Sequence, residues 1–241
     1  SSGGSTGTPS SHTLVNIIQR IPFSEDANAT DVGDLTVSRR GLAGNSSRSN
    51  GYATSGYIDP STTCQNVIDK FPFASDTTNS SDAGDLAQIR SFSAGQSSET
   101  HGYTAGGSGP AGNSNVIDKF PFTTDENSSD VGDLTQARYS IDGTSSSTHG
   151  YTEGGYIYPG SSYPNILDKF SFSSDGNSAD VGDMTVTKSA RGGISSMTHG
   201  YHVGGSPGTD TIDRYPFAVD ENATDVGNLS AVNVNQAGNE G

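Results

Sequence analysis

An acidic loop recurs five times in this 241-residue chain, and no other part of the sequence is better equipped for chemistry. Its first copy runs Asp26-x-Asn28-x-x-Asp31-x-Gly33-Asp34. It returns as Asp76, Asn79, Asp82 and Asp85, then as Asp125, Asn127, Asp130 and Asp133. Two more copies follow, with Asp175, Asn177, Asp180 and Asp183, then Asp220, Asn222, Asp225 and Asn228. Clustered carboxylate and amide oxygens suit calcium, which takes roughly six to eight oxygen ligands. On that reading Asp26, Asn28, Asp31 and Asp34 form one site, and Asp125, Asn127, Asp130 and Asp133 another. The spacing is not that of an EF-hand loop, and the second copy carries an insertion between Asp76 and Asn79. The same residues also make Asx turns, in which short side chains bond backbone N–H groups. The sequence leaves both readings open, so calcium is an expectation and no cofactor is required.

The loop asparagines also open Asn-x-Ser/Thr triplets at Asn28, Asn79, Asn127 and Asn222, with further matches at Asn45 and Asn228. Such triplets accept glycans only in a secretory setting or its equivalents. The fourth copy, Asn177-Ser-Ala, breaks the pattern. His101, His149 and His199 share one repeat position, where a metal and a hydrogen-bonding role are the alternatives. Tyr52, Tyr103, Tyr151 and Tyr201 read as core. The single cysteine, Cys64, forbids an internal disulfide. No nucleophile–base pair is singled out by spacing, so the chain is read as no enzyme.

These loops sit in a larger repeat. Related apolar strands end at Phe23, Phe73, Phe122, Phe172 and Phe217, spaced by 50, 49, 50 and 45 residues. A fixed period of about 40–50 residues marks a repeat architecture whose copies must pack on one another. Asn115–Phe122 alternates with period two, which predicts a strand with Val116, Asp118, Phe120 and Phe122 on one face. The acidic turn follows, then a second short strand at Val131–Arg138, then a Ser/Gly-rich stretch to Gly155. Apolar content is only 29% with net charge −15, a balance that alone suggests disorder, but the apolar residues recur at fixed positions. No helical stripe is present. The chain is therefore read as all-β: a five-repeat β-propeller with blades of three to four antiparallel strands. An open β-solenoid or a linear string of β modules is the alternative.

The spacing from a basic residue to a glycine pair resembles the kelch repeat. Counting Arg138 as one, Tyr151 is fourteen, and Gly154-Gly155 are seventeen and eighteen. The count holds from Arg90 to Tyr103 and Gly106-Gly107, and from Lys188 to Tyr201 and Gly204-Gly205; from Arg39 it reaches Tyr52 and then Ser55-Gly56. The kelch Trp is missing, since the chain has none. The resemblance implies kelch-like propeller blades. The phrase pattern also resembles repeat proteins of aquatic viruses and bacteria without assigned function.

Residues 1–12 read as a Ser/Gly-rich N-terminal tail. Residues 13–241 read as one repeat domain with copies at about 13–56, 57–107, 108–155, 156–205 and 206–241. The acidic balance argues against nucleic acid, and no apolar run is long enough to span a membrane. The lack of an initiator Met or leader predicts a processed or trimmed chain. Five strands of the Phe-Pro-Phe type face only four Gly-Tyr strands, which predicts an unpaired edge at the seam. The expected function is that of an extracellular, cell-surface or virion-surface structural or adhesive protein, assembling with itself head to tail into a filament. A receptor- or glycan-binding module is the first alternative, and a kelch-like enzyme the second. The tail is expected to contact the last blade near Asn233–Gly241 or a second copy. The five Phe and Leu35, Leu86, Leu134, Met184 and Leu229 are the expected core.

Overall fold

A computed structural model describes residues 2–8, 11–22, 24–59, 63–74, 78–189 and 192–233. It is all-β. Five small antiparallel sheets are arranged as the blades of a five-bladed β-propeller. The third blade shows the pattern: Ala94–Ser97, His101–Ala105, Val116–Pro121 and Ser129–Asp133 lie side by side in sequence order. The fourth blade repeats it with Asp142–Ser145, His149–Glu153, Ile166–Ser171 and Ala179–Asp183. The fifth uses Gly192–Ser195, His199–Val203, Thr209–Pro216 and Thr224–Asn233, and the second uses Ala43–Ser46, Asn50–Thr54, Thr63–Pro72 and Ser81–Arg90. No helix among the described residues is long and apolar enough to cross a membrane.

The His-Gly-Tyr strand is shaped by its neighbour. Gly102 lies opposite Phe120, and a Cβ there would come within 2.3 Å of the Phe120 ring. The same holds for Gly150 opposite Phe170 and Gly200 opposite Tyr215. Glycine is required so that the cross-strand ring can lie flat over the backbone.

Consecutive blades share their cores. Tyr103 packs on Phe170 and Phe172 of the next blade, and Tyr151 on Tyr215 and Phe217. Alternation predicts one buried strand face, yet Ile117, Asp118 and Phe120 are all buried. Each interior blade lies between two others, so both faces are covered, and a register shift between Ile117 and Asp118 turns the strand. The expected core needs correcting in the same way. Leu35, Leu86, Leu134 and Met184 are buried, while Leu229 is half-buried. Phe122, Phe172 and Phe217 are half-buried, Phe73 is 47% exposed, and Phe23 lies outside the described residues. The fully covered aromatic comes two residues earlier, at Phe120, Phe170 and Tyr215.

Buried arginines and the glycine pairs tie three of the blades together. Arg39, Arg90 and Arg138 are fully buried against Asp69, Asp118 and Asp168 at 2.8, 2.6 and 2.8 Å. Each also donates to a carbonyl fourteen residues on: Ala53, Thr104 and Thr152. A guanidinium can satisfy a carboxylate and carbonyls at once, which makes its burial tolerable. Gly106 and Gly107 take φ of +60° and +107°, and Ser55-Gly56 adopts nearly the same pair at +60° and +126°. The turn delivers an N–H to the basic residue of the next copy: Gly56 to Arg90 O, Gly107 to Arg138 O and Gly155 to Lys188 O, each at 2.9–3.0 Å.

The first sheet differs. It contains Ser2–Thr8, Ser11–Arg20 and Thr30–Asp34. Residues 2–8, expected as a linker-like tail, are thus a strand of the first blade. Ser2 pairs with Ile18 as Thr54 pairs with Ile68, so Ser2 is the last residue of a Tyr-type strand. The rest extends the short hairpin seen where Tyr57–Ile58 meets Thr63 and Cys64. Gly4 N donates to Arg39 O at 2.9 Å, so this segment serves its own blade and the second. Among the described residues the first sheet lacks an innermost strand and most of its Tyr strand.

Candidate functional site

The acidic loops are the junctions between blades. The loop Asn of each copy reaches back to the preceding blade: Asn79 Oδ1 accepts from Asp34 N, Asn127 from Asp85 N, Asn177 from Asp133 N and Asn222 from Asp183 N, all at 3.0 Å. The first Asp of the loop takes the lysine of the preceding blade, with Lys70–Asp125 and Lys119–Asp175 at 2.8 Å and Lys169–Asp220 at 2.6 Å. A glycine makes room. A Cβ on Gly33, Gly84, Gly132 or Gly182 would lie 2.2–2.6 Å from a loop carbonyl of the next copy. Asp31, Asp82, Asp130 and Asp180 instead accept the N–H two residues on, closing the local turn.

The candidate calcium ligands are thereby divided between tasks. Asp125 and Asn127 engage the second blade, Asp130 closes its own turn, and Asp133 carries the peptide that meets Asn177. Asp26, Asn28 and Asp31 are exposed and Asp34 is half-buried in the first blade, while Asp76 lies outside the described residues. Among the described residues no group of three or more His, Cys, Asp or Glu is gathered as metal ligands would be. The side chains of Asn28, Asn79, Asn127 and Asn222 are all exposed. An Oδ1 that accepts a hydrogen bond leaves Nδ2 chemically available to a glycan. His101, His149 and His199 lie in separate blades, and each Nδ1 bonds the preceding threonine hydroxyl at 2.8–2.9 Å. Burial lowers the pKa of His101 and His149, and the neighbouring lysine lowers it further. Tyr52, Tyr103 and Tyr151 are core, as expected, and Tyr201 is half-buried.

Each junction has two halves, and among the described residues the two outermost halves meet no partner blade of the kind the others meet. Gly227 is the fifth glycine of the series, and a Cβ on it would find nothing within 4 Å. Val226 beside it is 43% exposed, although its counterparts Val32, Ala83, Val131 and Val181 pack into blade–blade cores. On the first blade Ile21, the counterpart of Phe120, is 57% exposed. Asp26 and Asn28 stand on that blade with the residue types of the loop half, and Arg214 on the fifth with the charge of the lysine half.

No protein-family model matches the chain, and no curated protein matches it in sequence. Its reading rests on these side chains.

One further cluster departs from the repeat. Between the second and third blades, Thr54 and Thr104 hydroxyls meet at 2.8 Å. At the matching place between the fourth and fifth blades stand Glu153 and His202, both buried. His202 Nε2 lies 2.9 Å from Glu153 Oε2, though outside hydrogen-bond geometry. Glu153 Oε1 accepts from Thr144 Oγ1 at 3.1 Å and from the Tyr215 hydroxyl. Asp142 accepts from Gly143 N at 2.8 Å and from Gly193 N at 2.7 Å. Burial pushes the Asp142 carboxyl up to about 7, against the opposing pull of His202 and the two N–H donors. Burial and the adjacent Glu153 raise Tyr215 well above the ordinary tyrosine value. This group can hold a proton between two blades. Period counting passes over it; a position-by-position comparison of copies, with Glu153 where others have Thr54, Ala105 and Val203, exposes it.

Proposed function

We propose that this chain is a non-enzymatic structural or adhesive propeller of kelch-like repeats, working outside the cell or on a virion surface. It assembles head to tail through its first and fifth blades. One observation carries the reading: among the described residues nothing faces Gly227, while the glycines at the same place in the other four blades touch the loop of the next blade. Asn28 and Asp26 are the residue types that a preceding blade uses elsewhere, and Asn228 N–H, Arg214 and Tyr201 are the residue types that a following loop and aromatic pair use. A contact between unlike faces does not close on itself, so it propagates. Among the described residues the first sheet presents a strand edge without inner neighbours, and such an edge accepts another strand. The sequence past the fifth blade matches in spacing: Ala237-Gly238-Asn239 stands eight residues after Leu229, as Ala43-Gly44-Asn45 stands eight after Leu35. The net charge of −15 suits a soluble surface that does not bind nucleic acid.

Light scattering over a dilution series tests the assembly. The intact chain should gain mass with concentration, and a chain lacking residues 234–241 should do so less. A constant monomer mass for the intact chain would reject the reading.

A further inference from the structure

Across the second, third and fourth blades, the residue after each buried arginine bridges to the residue after each glycine pair. The bridges are Arg40 with Tyr57, Ser91 with Ser108, and Tyr139 with Tyr156. The small serine pair therefore lies between two bulky ones. The gap it leaves is a cavity of ≈ 320 Å³ lined by Tyr57, Phe92 and Tyr139, with Ser91, Ser108 and Cys64 supplying polar atoms. All three rings are half-exposed.

Phe92 is out of place by local physics. Its φ is +55°, in the left-handed region where a bulky residue is an outlier. The same position is Gly41 in the second blade, at +66°, and Ser140 in the fourth, at +50°. Strain of this kind persists where surrounding structure enforces it and concentrates at binding sites. Here the backbone enforces it: Phe92 N donates to Gly41 O at 2.8 Å, and Phe92 O accepts from Ser140 N at 2.9 Å. The ring is held 6.4 Å from that of Tyr139.

We propose that this cavity binds one pyranose ring of a neutral glycan. This goes beyond assembly and involves none of the seam residues. A pyranose has apolar C–H faces and a rim of hydroxyls. It matches aromatic walls with a few convergent polar groups, and the volume lies at the small end of the ligand range. Arg40 decides against a cationic ligand. Its guanidinium already lies over the rings of Tyr57 and Phe92, at 5.1 and 5.7 Å, and would repel a second cation. Its Nε bonds Asp59 Oδ2 at 2.8 Å, which holds the guanidinium in place beside those rings. The net charge of −15 disfavours acidic sugars.

Saturation-transfer NMR with a panel of neutral methyl pyranosides tests this, with tetramethylammonium as the cationic probe. At least one pyranoside should bind the intact protein, with protons of one ring face closest to the aromatic rings. Phe92→Gly and Tyr139→Ser place in the third and fourth blades residues that other blades already carry there, so both should keep the native melting transition. Each should weaken binding by about tenfold or more. No binding by any pyranoside up to about 50 mM would overturn the proposal. So would unchanged binding in two folded variants, or binding of tetramethylammonium in preference to sugar.

Discussion

The backbone N–H of Asp133 donates to Asn177 Oδ1 at 3.0 Å, across the boundary between the third and fourth blades. The same bond links every consecutive pair of blades, at a sequence separation of 39 to 45 residues. It gives the loop asparagine a structural task that its turn-forming composition does not announce.

Replacing Asn177 by Ala should lower stability by about 1 kcal/mol, the net worth of one hydrogen bond at an exposed site. Asn28→Ala should leave the stability of the dilute monomer unchanged and weaken self-association instead. Chemical denaturation of both variants, with light scattering alongside, separates the two effects. Equal destabilisation by both would mean that Asn28 already has a partner within its own chain.

Phe120 and Phe122 stand two residues apart but differ in burial, and their truncations should differ likewise. Phe120→Ala should cost about 3–5 kcal/mol, because the ring is fully covered and rests on Gly102 and Tyr52. Phe122→Ala should cost less, since its ring stacks on Tyr52 but stays half-exposed. Thermal melts of the two variants rank them; the reverse order would contradict the packing.

The repeat, the all-β class and the arginine-to-glycine-pair spacing were legible because duplication writes them several times. Arg138 donates to Thr152 O within its blade, and Gly155 N donates to Lys188 O of the next copy. What lay beyond the sequence was how one copy faces the next. Asp125 and Lys70 are 55 residues apart and carry no local sign of their pairing. Phe122 looked as much like core as Phe120 because period-two alternation puts both on one face, and coverage by the next blade decides between them. Glu153 and His202 were hidden by their singularity, since repeat-based reading favours what recurs.

Asp142 makes stability depend on pH. Its carboxyl is raised to about 7 in the folded chain from an ordinary 3.8, so the native state holds a proton that the unfolded state releases. Stability should therefore fall as pH rises from about 4 to about 7 and level off above that. Glu153 and His202 face the same junction, and His202 pulls the Asp142 carboxyl down while Glu153 pushes it up. Asp142→Asn cannot lose that proton, so its stability relative to the parent should rise over this window. Denaturation at several pH values checks the sign; a parallel pH dependence in both proteins would assign the effect elsewhere.

Chelator should leave the melting temperature unchanged, and millimolar calcium should not raise it. Asp125 and Asn127 are engaged with the second blade, and Asp130 with its own turn. A rise in melting temperature with calcium would show binding by mass action and restore the calcium reading of the loops.

Head-to-tail assembly is tested most directly by a charge swap across the proposed contact, read as mass in solution. Arg214→Asp alone, or Asp26→Arg alone, places like charges where the junction pairs a cation with a loop aspartate, and each should hold the chain monomeric. The double variant, Asp26→Arg with Arg214→Asp, restores opposite charges and should assemble again at concentrations where the parent does. Assembly that is indifferent to all three changes, or a double variant as monomeric as either single one, would contradict the account.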